Sequence, residues 1–316
     1  MRWLLRGVGV LLLLTTLAMA WVRAPDVPVE GLVGRWAPAP SNFIEVKGQL
    51  VHVRDEGPSG DPLPIVLIHG TSASLHTWEG WVRSLKTQRR VITFDLPGFG
   101  LTGPFTGQYA AGDYHGDTYA RFLLDLLDTL KVERAVLGGN SLGGEVAWRT
   151  AAMAPQRVAS LVLVDAVGPA FEPESVPLGF VLARIPVLNR ISEFALPREL
   201  VAQGLVNVYG DPSKITPELI ARYYELTLRE GNRRALSQRM QSFVNGEHAE
   251  RIALLRQPTL LLWGSLDRLV PPSVGRQFQA LIPNSQFVLL DGLGHVPQEE
   301  HPLRSVAPVK LFLGFR

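Results

Sequence analysis

An α/β architecture built on a mostly parallel, doubly wound sheet is what this 316-residue sequence predicts. Short β-branched runs alternate with stretches of helical periodicity through most of the chain. Several of those runs are uninterruptedly apolar, as strands covered on both faces must be. The hydrophobic fraction of 46% against a charged fraction of 19% supplies a sizeable core and excludes a disordered chain.

The elements follow in order. Arg2 and Arg6 precede an uncharged, largely apolar run from Gly7 to Val22, with Ala18-Met19-Ala20 as a small-x-small cleavage candidate. The run is about 16 residues long, at the short edge of a bilayer-spanning helix, so residues 1–23 fit a cleaved signal peptide or an N-terminal membrane anchor. Either puts the following domain outside the cytoplasm, because the positive end stays inside. Residues 24–41, rich in proline and alanine, read as a semi-rigid linker. From Asn42 onward a catalytic-sized domain is expected. Phe43 to Val46 and Leu50 to Arg54 form an opening hairpin around Lys47-Gly48. Pro64 to Ile68, Val91 to Phe94, Ala135 to Leu137, Ser160 to Val164, Thr259 to Trp263 and Gln286 to Leu290 supply the remaining strands. Tyr119 to Leu130 and Leu142 to Met153 are helices by their apolar spacing.

The rhythm breaks between Asp165 and Gln257, where roughly ninety residues pass without a buried strand, too many for an ordinary crossover. A helical cap inserted at about 167–257 is expected there. Thr216-Pro217-Glu218 starts one of its helices, with a cap residue followed by proline at the first turn, and Asn232 to Phe243 another. Val176 to Leu196 is markedly apolar. Packing of the cap onto the core explains that stretch, and so does a lipid-facing lid or acyl-chain wall.

Composition removes several classes of function. The net charge of +2 comes without a basic stripe, so no nucleic-acid partner is expected. With no cysteine there are no disulfides, thiolate metal sites or cysteine nucleophile, and no lipid-modified N-terminal cysteine.

The chemistry concentrates at strand ends. Gly139-Asn140-Ser141-Leu142-Gly143 is a G-x-S-x-G pentapeptide directly after a strand and at the start of a helix. In that context the turn lifts the Ser141 hydroxyl above the sheet, beside helix N–H groups that favour developing negative charge. Serine needs a positioned base. His295, in the glycine-rich loop after the last strand, arrives at the same sheet edge, since parallel strands end on one side. His301 fits a helix start, and His52, His115 and His248 fit an exposed strand, a loop and the cap. The base needs a carboxylate to hold its tautomer. Asp267, following the strand that ends at Trp263, is preferred, with Asp165 at the preceding strand end as the rival. The oxyanion donors are expected to be the backbone N–H groups of Leu142 and of Thr71, which follows the His69-Gly70 strand end. His69 itself reads as a loop brace.

His69-Gly70-Thr71, Asp95 to Gly100, Gly139 to Gly144, Trp263 to Asp267 and Gly294-His295-Val296-Pro297 stand in the order and at the intervals of the α/β-hydrolases. From Asn42 to the C-terminus the chain resembles that family and looks like its serine esterases and lipases. The resemblance implies Ser141 as nucleophile, His295 as base and Asp267 as its carboxylate. It also implies ester hydrolysis through an acyl-enzyme, a small-molecule ester or lipid-like substrate, and no metal or organic cofactor. Haloalkane dehalogenases and epoxide hydrolases of this fold carry aspartate where Ser141 stands. Carbon–carbon hydrolases of the meta-cleavage type share the Gly-Asn-Ser elbow, yet place an aromatic residue after the histidine, where this chain has Val296. That activity, acyl transfer and a non-catalytic receptor remain the alternatives.

Overall fold

The computed structural model describes residues 23–111 and 113–315, with the isolated positions 3, 6, 7 and 9. Almost all of the N-terminal apolar run and its cleavage candidate lie outside the described residues. Among the described residues no helix is long and apolar enough to cross a membrane.

Eight strands form one sheet in the order β1-β2-β4-β3-β5-β6-β7-β8. They are β1 Asn42–Val46, β2 Gln49–Glu56, β3 Ile65–Ile68, β4 Val91–Phe94, β5 Ala135–Asn140, β6 Val158–Val164, β7 Thr259–Gly264 and β8 Ser285–Leu290. Only β2 runs against its neighbours. Lys47 and Gly48 join β1 to β2 at φ 53° and 83°, the doubly left-handed turn that matches strand twist in a two-residue hairpin. β3, β4, β5 and β7 are buried along their whole length, which is why their sequences do not alternate. Two apolar layers flank the sheet, one built around Phe122, Leu126, Trp148 and Phe278, the other around Trp78, Trp81, Leu262 and Val306.

Between β6 and β7 the chain forms five helices: Leu178–Arg184, Leu188–Ser192, Arg198–Val208, Pro217–Thr227 and Asn232–Ser242. The Thr216 hydroxyl accepts the Leu219 N–H at 3.1 Å, capping the fourth as its sequence predicts. A buried ion network ties this cap to the core. Glu145 accepts Arg149 Nε at 3.0 Å and the Arg239 guanidinium, from the last cap helix, at 2.6 Å. Arg149 also pairs with Asp117 at 2.8 Å and Glu247 at 2.9 Å. Each of these five charges meets an opposite one, the condition under which buried ions are tolerated.

The segment 24–41 departs from the linker expectation. Glu30–Trp36 is a helix docked on the cap, with Leu32 and Trp36 buried against Leu226. Trp36 Nε1 donates to Glu225 at 2.8 Å, Arg35 pairs with Glu218 and Glu225, and Val27 N–H donates to Leu228 O at 2.8 Å. Proline content suggested a stalk, but the segment's two large apolar residues find a long-range partner that local composition does not reveal. Trp36→Ala is therefore expected to lower the unfolding free energy by about 3 kcal/mol, measured by urea titration of the full chain. A loss below about 0.5 kcal/mol, the range of ordinary surface changes, would mean the segment hangs free.

Candidate active site

β5 delivers its C-terminal end to a turn that only small residues can make. Ser141 sits at φ 55° and ψ −116°, a strained conformation for a residue with a Cβ. The turn closes because its neighbours lack side chains. A Cβ on Gly139 would lie 2.1 Å from Gly143 O, and one on Gly143 would lie 2.0 Å from Ile68 O. The helix Leu142–Met153 follows immediately, and its first N–H groups have no intrahelical acceptor. Ser141 N–H is held by Val164 O at 3.0 Å, so β6 braces the turn from the side.

His295 comes from the loop after β8. Its Nδ1 lies 2.7 Å from Asp267 Oδ2, which places the proton on Nδ1 and leaves Nε2 as the free lone pair. Asp267 is fixed in turn, its Oδ1 accepting Leu269 N–H at 2.8 Å and Val270 N–H at 3.0 Å. Two backbone bonds orient the histidine: Asn140 Nδ2 donates to His295 O at 2.9 Å, and His295 N–H donates to Val208 O of the cap at 2.7 Å. Ser141 and His295 line one cavity together with Thr71 and Val296. Ser141, Asp267 and His295 are thus brought to one place, and Thr71 and Leu142 stand at the serine.

Asp165, the rival carboxylate, sits at the end of β6 with its oxygen in the same group. Single ligand atoms of Asp165, Asp267 and His295 all lie within 4.8 Å of one another. Its Oδ1 accepts Gly264 N–H at 2.9 Å, while Oδ2 meets no donor in the structure. Burial, and next the charge of Asp267, push the Asp165 carboxyl well above the usual carboxylate range. A protonated Oδ2 facing Asp267 resolves the orphan, because a neutral acid donates where an ionised one would repel. Asp267 thus spends its oxygens on His295 and on backbone N–H groups and Asp165 spends Oδ1 on Gly264, which leaves His295 Nε2 and a poor donor set for a divalent ion.

The remaining histidines sort differently from their expectation in one case. His69 is buried, and its Nε2 accepts Leu96 N–H at 2.9 Å while Nδ1 donates to Gly70 O at 2.7 Å. Burial lowers its pKa, which suits the neutral brace expected there. His301 stands immediately before the C-terminal helix Pro302–Phe312, at its start as expected. His52, expected on an exposed strand, is instead completely buried. Its Nδ1 lies 2.7 Å from Asp95 Oδ2, and its Nε2 lies 2.9 Å from Ser41 Oγ. This is a second Ser-His-Asp chain, at the opposite flank of the sheet. Arg54 Nε donates to Ser41 Oγ at 2.9 Å, and Asp95 also accepts Leu75 and Leu101 N–H groups at 2.7 and 2.8 Å. Burial raises the Asp95 pKa, but the neighbouring histidines outweigh it and hold the carboxyl well below the usual range.

Two cavities meet at Ser141. The one that includes His295 has a volume of about 130 Å³, roofed by Phe180, Leu196, Leu205 and Tyr223. The other, about 390 Å³, reaches Thr71, Ser141 and Leu142 and is walled by Phe171, Phe180, Ile185, Met240 and Phe243.

A family model for the alpha/beta hydrolase fold matches residues 64–302, and the chain belongs to that family. It is 31% identical over 294 residues to a 2-hydroxy-6-oxononadienedioate/2-hydroxy-6-oxononatrienedioate hydrolase of Paraburkholderia phymatum, covering 86% of this chain and 94% of that one. It is also 31% identical to a dihydrolipoyllysine-residue acetyltransferase component of the acetoin cleaving system of Pseudomonas putida, of whose length the match spans 66%, with 83% of this chain covered. The solved meta-cleavage product hydrolase of Pseudomonas fluorescens IP01 superposes with a TM-score of 0.72 at 27% identity, covering 86% of this chain and 97% of that one.

The state of Asp165 has a measurable consequence. A carboxyl whose folded pKa is raised stabilises fully below its unfolded pKa, near 4, and loses that contribution as pH rises toward the folded value. Asn at this position stays neutral throughout. The stability difference between Asp165→Asn and the parent is therefore expected to move in favour of Asn between pH 4 and pH 8, measured by urea unfolding. A difference that does not change with pH would leave the carboxyl unperturbed, and a change toward the parent would make it a stabilised anion.

Proposed function

We propose that this hydrolase cleaves carboxylic esters that carry an apolar acyl chain, by way of an acyl-enzyme on Ser141. Ser141 Oγ attacks the carbonyl carbon while its proton passes to His295 Nε2. The Oγ–C bond forms and the carbonyl oxygen, now an oxyanion, is met by the N–H groups of Leu142 and Thr71. Asp267 holds the imidazolium. Collapse breaks the bond to the leaving alcohol, which takes the proton from His295, and a water molecule then repeats the sequence to release the acid.

The observation that carries the reading is the pair of apolar chambers meeting at Ser141. The smaller one contains the histidine, so it receives the leaving group; the larger one lies on the oxyanion side, so it receives the acyl group. Carbon–carbon hydrolysis is the second reading, favoured by the relative from Paraburkholderia phymatum and by the elbow residue Asn140. A dioate substrate would need fixed cations. The histidine-side chamber offers none; in the other, Arg239 is engaged by Glu145 and Tyr114 O, and Arg184 is solvent-exposed rather than fixed inside. Delivery of the domain to the outside of the cytoplasm, with the N-terminal run as signal or anchor, belongs to the same proposal and rests on Arg2, Arg6 and the run that follows them.

Full-length protein and its Ser141→Ala variant should be compared on p-nitrophenyl esters of increasing acyl length, with a fluorophosphonate label read by intact mass. We expect labelling to vanish in the variant, turnover to fall by about 10⁴-fold or more, and medium chains to be preferred over acetyl. Labelling of the parent without ester turnover, together with turnover of vinylogous diketo acids, would overturn the ester reading in favour of carbon–carbon cleavage.

A further inference from the structure

We propose that the cap helices Leu178–Arg184 and Leu188–Ser192 rest on a lipid bilayer, and that the larger chamber at Ser141 takes its acyl chain from that bilayer through this face. The docking surface stands on its own observations; the acyl transfer rests on the ester reading above.

Four observations converge on it. Apolar side chains are turned outward along this stretch: Leu178, Val181, Ile185, Ile191, and most of all Val187 and Phe194, at 69% and 67% exposure. With Val176 and Leu188, eight large exposed apolar residues in one stretch form a partner surface rather than scattered exceptions. From Val176 to Phe194 the chain holds Arg184 and Arg190 against the single acidic residue Glu193, a net positive balance that suits an anionic headgroup layer. Val176, Val181 and Ile185 are exposed and also wall the 390 Å³ chamber, so the cavity that ends at Ser141 begins on this face.

The fourth observation fixes the direction. Arg23 pairs in a β-bridge with Ala195, and Ala24 N–H donates to Phe194 O at 2.9 Å. The apolar run Gly7–Val22 therefore joins the folded domain beside Phe194. A flexible stalk would have let the domain stand away from a membrane holding that run. Residues 24–41 are instead spent on the cap, so no spacer intervenes between the run and the exposed helices. A bilayer that holds Val22 lies against Phe194 and its neighbours.

The chain has no cysteine, so single cysteines carry a label without background. In full-length Ser141→Ala protein, an environment-sensitive NBD fluorophore would be placed through Leu188→Cys, Phe194→Cys or, at an exposed position of the C-terminal helix outside the cap, Leu311→Cys. Each protein would be reconstituted into vesicles of phosphatidylcholine and phosphatidylglycerol containing spin-labelled lipid. Blue-shifted emission and quenching at the first two positions, with neither at the third, is the expected result. It does not depend on hydrolysis, so failure of the ester reading leaves it standing. Emission already blue-shifted before vesicles are added would overturn the proposal. If that signal is independent of protein concentration, the patch is covered by the chain's own N-terminal run; if it tracks concentration, by a second copy. Unshifted emission at all three positions in vesicles would overturn it as well. With Ser141 restored, the double variant Leu188→Ser, Phe194→Ser is expected to lose about tenfold in turnover of a vesicle-embedded ester and to keep its rate on soluble p-nitrophenyl butyrate. Equal losses on both substrates would remove the bilayer route for the acyl chain.

Discussion

The left-handed turn at Ser141 is the constraint around which the rest of the molecule is arranged. A side chain forced to φ 55° costs free energy, and the surroundings must over-determine it. They do so from three directions: glycines at 139 and 143 let strand and helix touch, β6 holds the serine N–H, and the helix beyond is enclosed on every side. From Leu142 to Ala151 each residue of that helix is buried. Its one acidic and one basic side chain therefore had to be neutralised internally, which is the origin of the Glu145–Arg149–Arg239 network.

That network and the histidine loop make the cap part of the site rather than a roof over it. His295 N–H is held by Val208 of the cap. Glu300 accepts N–H groups from Gly294 in the histidine loop and from Gly210 and Asp211 in the cap, at 2.8, 3.1 and 2.8 Å. Glu299, next to it, receives the hydroxyls of Tyr209 and Tyr223 at 3.0 and 2.9 Å and pairs with Arg222. Two adjacent carboxylates, four and five residues beyond the histidine, thus clamp the His295 loop to the cap elements that wall the two cavities. Movement of these cap elements is mechanically a movement of His295.

Much of this was legible in the sequence, for a local reason. Strands covered on both faces announce themselves as unbroken apolar runs, and Ser141, Asp267 and His295 each carry a signature within a few residues of themselves. What stayed hidden depends on distant partners. The helix at 30–36 exists as a packed element only because Leu226 and Glu225 meet Leu32 and Trp36. His52 lies on a strand whose sequence looks half exposed, and it is buried because Phe43, His76 and Ser41 close over it. Asp165 reads in the sequence as a competitor to Asp267; that the two lie together, with burial and Asp267 raising the Asp165 pKa, follows only from bringing the ends of β6 and β7 side by side.

The Ser41–His52–Asp95 chain shows what separates a catalyst from its hydrogen-bond diagram. Both of its links are short and its carboxylate is well held, so donor and acceptor spacing alone would rank it beside Ser141. Yet Ser41 Oγ already accepts a hydrogen bond from Arg54 Nε, which draws electron density away from the oxygen that would have to attack. It also stands on no helix N-terminus, where an oxyanion could be received. The protein thus contains its own negative control. The same triplet of side chains staples the N-terminal segment to the sheet in one place, while in the other its serine stands on a strained turn at a helix N-terminus, the setting that the proposed chemistry requires.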